Sequence, residues 1–248
     1  MYGAAVFTNG KAGVRREQIV FGIFTVSLAG NALMALRDPS WWAIPAMLAA
    51  WYLADMLSGL VHMYMDYRPC TPGKRLNEIF FYEGSRESEE YLTMLRERMA
   101  TIGPFERISY DFKNHHPRPD ALGRRGVWRL IGSTVILAAL PLSLAGNVAG
   151  VLAQLPGWLM AGLTAFLIGG GFAQYFHGSL HRANNPWFIT AMRRTGLLMT
   201  PAAHQIHHDT LQRDFATNSG WSNPVINTLF RTLRARGLLR DSGLVPSA

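Results

Sequence analysis

Residues 19–36 read IVFGIFTVSLAGNALMAL, a run of eighteen residues without a single charge. A hydrocarbon core about 30 Å thick needs about 20 apolar residues of helix to cross it, so this run predicts a membrane span. Three further stretches share its character. Residues 41–65 are apolar except for Asp55 and His62, residues 127–145 are apolar beyond Arg129 and interrupted by Pro141, and residues 151–177 contain LMAGLTAFLIGGGF. The rest of the chain agrees with this reading, since 49% of its 248 residues are hydrophobic and only 16% charged, against about 25% charged in soluble domains. No A-x-A-like site follows Leu36, so the first run does not read as a cleaved signal peptide. We expect an all-α, polytopic membrane protein: one domain over residues 1–248, with about four transmembrane helices.

Basic residues set the expected orientation. With the N-terminus inside, 23 of the 24 Lys and Arg residues fall on the inner side, Arg37 alone lying outside. Such asymmetry predicts cytoplasmic termini and places residues 66–126 and 178–248 together in a cytoplasmic cap. The net charge of +8 is then accounted for by topology and attraction to anionic head groups. No basic-aromatic interleaving marks a nucleic-acid surface, and no nucleic-acid partner is expected. A single cysteine, Cys70, excludes an internal disulfide and a CxxC metal site.

Within this topology all 8 histidines fall on one side of the membrane. His62 closes the second span, His115 and His116 precede the third, His177 and His181 end the fourth, and His204, His207 and His208 follow in the tail. His177 and His181 are four residues apart, a spacing that stacks two side chains on one helical face. The same spacing joins His62 to Asp66, with Asp55 on roughly that face inside a span, where a carboxylate needs a partner. His204, His207 and His208 also converge on a helix begun at Pro201. His115 and His116 diverge by about 100° on a helix, so neighbouring imidazoles can address two different ions.

Eight imidazoles with a carboxylate are too many donors for one metal and suit two. Imidazole serves zinc, copper, iron and nickel alike. Zinc would imply hydrolysis or a structural role, and iron would imply oxygen chemistry; spacing alone leaves both open.

The stretches ADMLSGLVHMYMD (54–66), NHHPRPDAL (114–122), FHGSLH (176–181), HQIHHD (204–209) and SGWSNPV (219–225) resemble the motifs of the Kua/CarF lipid desaturase family. That family includes plasmanylethanolamine desaturases and plastid enzymes acting on the palmitoyl chain of phosphatidylglycerol. The resemblance runs in order from about residue 41 to about 235. It implies a membrane enzyme holding two iron ions, with O2 as co-substrate, that introduces a double bond into an acyl or alkyl chain of a membrane lipid. Carried over, the metal and catalytic positions fall on His62, Asp66, His115, His116, His177, His181, His204, His207 and His208. Asp55 is the preceding acid, and Asp55, Asp209 and Asp214 are candidates to support the ligands from behind. This chain reads HHPRPD and HGSLH where relatives show HHxDP and HKWxH, which leaves the substrate open.

No flavin, haem or iron-sulfur motif is present, so the resemblance implies an external electron carrier such as a ferredoxin or cytochrome b5. Arg118, Arg124, Arg125 and Arg182 are candidates to hold a lipid phosphate; a chain would enter a slot between the second and fourth spans, where the LIGGGF stretch fits either close helix approach beside that slot or close packing alone. Two other readings stand beside desaturation: a di-iron lipid hydroxylase, and a zinc-dependent membrane hydrolase or metal-binding membrane protein.

Overall fold

The computed structural model describes residues 10–69 and 71–240, without the side chains of residues 10–15 and 104; Cys70 and the side chains of Lys11 and Arg15 lie outside the described part. Every regular element described is helical. α1 (Gly10–Ala35) and α2 (Ala43–Tyr67) come first. Four short helices follow: α3 (Leu76–Phe80), α4 (Glu89–Ala100), α5 (Pro104–His115) and α6 (Pro119–Gly123). α7 (Val127–Thr134) continues through a π-helical turn, Val135–Ala139, into α8 (Leu140–Leu152). α9 (Gly157–Gly171) and α10 (Ala173–Leu180) precede α11 (Trp187–Arg194), α12 (Pro201–Thr210) and α13 (Asn223–Ala235).

Three helices, Arg16–Ala35, Ala43–Tyr67 and Val127–Leu152, are long and apolar enough to cross a membrane, and α9 with α10, bent by 49°, makes a fourth if counted as one span. The third runs past its expected end at 145. Pro141 lacks an N–H, and its ring would press on the carbonyl four residues back; the wider π-helical turn ahead of it absorbs that conflict. The fourth starts at Gly157, later than the expected 151, because the chain turns at Gln154 in the left-handed region (φ 46°). Large apolar side chains point outward along the spans, Val26 at 73% exposure and Leu137 at 76% among them, as a lipid solvent allows. The exposed pair Trp41 and Trp42 stack 3.8 Å apart at the start of α2, where amphipathic rings suit a head-group layer.

α9 packs against both α2 and α1, and α1 continues the layer onto α8. The α2–α9 approach is close, since a Cβ on Gly169 would lie 2.8 Å from the Ala54 Cβ and 3.4 Å from the Trp51 ring. Of the two readings of LIGGGF, Gly169 fits close helix packing, since small residues are what lets two backbones meet this way. Phe24, Trp51, Leu167, Phe176 and Ile189 belong to the main buried cluster between the helices.

The segment after α2 forms a unit of its own. Leu76, Ile79, Tyr91, Ile102 and Tyr110 make a separate buried cluster. The charged stretch RESEEYLTMLRERM forms α4 with Ser88 as its cap, accepting from the Tyr91 N–H at 3.1 Å, and with Glu89 and Glu90 in the first turn, where the helix dipole favours acids. This unit delivers α5 back to the end of α2, where His115 is needed.

Candidate metal centre

Each histidine is placed by a helix end. His62 and Asp66 occupy the last turns of α2, His115 ends α5 with His116 as its cap, and His177 sits on α10 with His181 as its cap. α12 carries the other three. It is started by Thr200, whose hydroxyl accepts from the Ala203 N–H at 3.3 Å, and by Pro201 at its first position. The bend between α9 and α10 falls at Phe172, after three consecutive glycines, residues that weaken a helix most short of proline; it directs α10 into the site.

All eight histidines come together, in two groups. His115, His177, His181, His204 and His208 form one; His62, Asp66, His116 and His207 form the other. Within each group, ligand-type atoms lie within 4.8 Å of one another. The groups abut, with ring centroids 4.3 Å apart for His115 and His116 and 4.9 Å for His62 and His177. Adjacent residues therefore serve different groups, as the divergence of His115 and His116 predicts. The HQIHH stretch is also divided: His204 and His208, four residues apart, join one group, and His207 joins the other. Asp66 belongs to the second group alone.

The donor chemistry fits metal ions. Asp66 is fully buried, yet neither carboxylate oxygen accepts a hydrogen bond from a described residue. Around it stand three imidazole nitrogens: His62 Nε2 at 3.3 Å, His116 Nε2 at 3.2 Å and His207 Nε2 at 3.3 Å. A buried anion in that position calls for a cation. In the other group, His204 Nε2 lies 3.1 Å from both His177 Nε2 and His208 Nε2. An ion about 2.1 Å from each of two imidazoles at right angles holds their nitrogens about 3 Å apart, which matches those contacts.

Backbone carbonyls fix three rings. His62 Nδ1 donates to the Phe215 carbonyl at 2.9 Å, His207 Nδ1 to the Arg213 carbonyl at 2.8 Å, and His115 Nδ1 to the Phe112 carbonyl. Each bond leaves Nε2 without a proton and without a hydrogen-bond partner, the tautomer a metal requires. Burial pushes His115 and His204 well below the usual imidazole range, and neighbouring histidines add to it. His181 is lowered to about 4 and His208 to about 3, again chiefly by burial. At neutral pH these rings are neutral, the form able to ligate a metal.

The three other acids sit elsewhere. Asp55 accepts from the N–H groups of Ser219, Gly220 and Ser222 and from the Ser222 hydroxyl. Asp209 accepts from Gln205 on the surface, and Asp214 pairs with Asn227 and Arg213. Their carboxylates thus bind loops and surface side chains instead of a ligand imidazole. Of the four arginines considered for phosphate, three are engaged. Arg182 donates to the carbonyls of Gly123 and Arg125, Arg124 pairs with Asp120 at 2.6 Å, and Arg125 with Asp111 at 3.3 Å.

Sequence reasoning missed the carbonyls of Phe112, Arg213 and Phe215, since a backbone acceptor leaves no mark in side-chain identity. SGWSNPV supplies the loop that Asp55 holds, and a buried acid inside a span was the signal in the sequence that this loop had a partner.

A protein family described as the lipid desaturase domain matches residues 97–235, just over half of the chain. The matched part carries seven of the eight histidines and leaves α2 outside, yet the geometry sets His62 and Asp66 of α2 directly against His116 and His207. No curated protein and no solved structure matches.

Proposed function

The chain belongs to the lipid desaturase domain family, and on that premise we propose that it is a di-iron membrane enzyme introducing a double bond into an acyl or alkyl chain of a membrane lipid. The observation that carries this is the pair of abutting, buried histidine groups at the ends of the membrane helices. In balance, O2, two electrons and two protons combine with the two hydrogens removed from adjacent carbons to give an alkene and two water molecules. Iron at both groups would supply the O2-derived oxidant that breaks an unactivated C–H bond.

The protein's own residues prepare for that chemistry. Five imidazoles in one group and three with Asp66 in the other would hold the two ions, donors that suit iron. Asp66 offsets part of the positive charge at its group alone, which makes the two positions electrostatically unequal. Phe112 and Phe215 pack edge-on against His62 at 5.4 Å and 6.2 Å between centroids, walls that exclude water from the centre. With the termini cytoplasmic, as the basic residues favour, the centre faces the inner leaflet, and the electrons come from a cytoplasmic carrier such as a ferredoxin or cytochrome b5.

Lipid analysis of cells expressing the wild type or His207→Ala tests this reading. A lipid lacking two hydrogens, present only with the wild type, is the expected result. A lipid gaining one oxygen would identify a hydroxylase, and purified protein holding zinc without iron would reject both.

A further inference from the structure

The segment after α12 runs antiparallel along α2 and touches it at regular intervals. Tyr67 donates its hydroxyl to the Leu211 carbonyl at 2.8 Å, and His62 donates to the Phe215 carbonyl. A Cβ on Gly59 would lie 2.9 Å from Ala216, and Asp55 receives the turn at Ser219–Ser222. From Tyr67 to Asp55 this course covers about 18 Å of helix. The segment kinks at Leu211 and Asp214, both with positive φ. It is tied to α13 by Asn223, which accepts from the Ala216 N–H at 2.9 Å, and to α9 by Asn218, which donates to the Gly169 carbonyl at 3.0 Å.

The two ring-fixing carbonyls that this segment provides, Arg213 and Phe215, serve His207 and His62. Both rings belong to the Asp66 group. In the five-histidine group, His115 is held by the Phe112 carbonyl of its own helix α5, not by this segment. Asp55 is the strongest fastening: fully buried, it accepts four hydrogen bonds, at 2.8 Å from Ser219, 3.0 Å from Gly220 and, from Ser222, 3.0 Å by the N–H and 2.6 Å by the hydroxyl. A carboxylate with two acceptor oxygens is suited to gather three N–H groups and a hydroxyl.

We infer that residues 211–222 form a strap, fastened by Asp55, that sets the tautomer and direction of His62 and His207, so that Asp55 is a positioning residue for the Asp66 metal position and not for the five-histidine one. The inference rests on the reading that the two groups hold metal. It does not depend on which lipid is changed.

Cobalt(II), titrated into metal-free, full-length protein and followed by visible absorption and elemental analysis, tests it. His207→Ala and His208→Ala give reference spectra for a defect in each group. In Asp55→Asn one of two cobalt ions should bind about 10- to 100-fold more weakly, the range for loss of a partner behind a ligand, with the spectral change of His207→Ala. Ser222→Ala, which removes one of the four donors, should show the same change to a smaller extent. Unchanged binding in both variants overturns the inference, as does equal weakening at both positions or the spectral change of His208→Ala. If Asp55→Asn does not fold, Ser222→Ala decides by the same outcomes. A wild type that binds two cobalt ions, yet yields no desaturated lipid when loaded with iron, overturns the desaturase reading and leaves the strap standing.

Discussion

Nε2 of His207 stands 3.3 Å from Oδ2 of Asp66, joining the end of α2 to the last turn of α12 across a fully buried contact. Asp66 is the single carboxylate in either histidine group. Asp66→Asn keeps its size and removes its charge, so the second group loses its anion while the five-histidine group keeps all its donors. The variant should retain about one metal ion where the wild type retains two, and desaturation should fall by at least about 100-fold, as expected when a metal position essential to the reaction empties. Metal content of purified protein checks this; two ions retained with full activity would contradict it.

His115 and His116 are neighbours in the chain and belong to different groups. His115→Ala and His116→Ala should therefore weaken different metal positions, and their metal-binding spectra should differ from one another. His115→Ala should resemble His208→Ala, and His116→Ala should resemble His207→Ala. Identical spectra for the neighbouring pair would show that the two groups act as one pool of ligands.

Much of this was legible in the sequence because the informative residues are few and costly. A charge-free run of eighteen residues leaves little besides a membrane helix, and a buried helix end gathers the histidines whichever loop connects it. The same reasoning could not see that the chain between 211 and 222 lies flat along α2, since that course is held by carbonyls and by a turn. Asp55 reads in sequence as an acid near a ligand, and only the fold shows that four donors of a distant loop occupy it. The glycines at 169–171 fit either a slot or a close contact, and the choice fell to Trp51 and Ala54 on the facing helix.

Gly169 marks the tightest part of the α2–α9 contact. A side chain there would have to displace Ala54 and the Trp51 ring, whose Nε1 donates to the Leu197 carbonyl at 2.9 Å. Gly169→Val should destabilise the protein by about 1–3 kcal/mol through overpacking and disturb the Asn218 contact to the Gly169 carbonyl. Thermal denaturation in detergent measures the loss. Gly170→Val is the control: a Cβ there meets nothing within 4 Å, and its stability should stay close to wild type.

Acid should act on the metal-free protein in one direction. His181 and His208, lowered to about 4 and about 3 by burial, stay neutral in the folded chain while the unfolded chain takes up protons at the usual value of about 6.5. Stability is thus unaffected well above that value, begins to fall as the pH drops through it, and continues to fall until the folded-state values are reached. Bound metal needs the same nitrogen lone pairs, so protons compete with it, and loaded protein should be more resistant than metal-free protein before releasing its ions on further acidification. Melting curves of both forms between about pH 8 and about pH 4 check the sign. A metal-free protein equally stable across that range would show that these rings do not remain neutral in the fold.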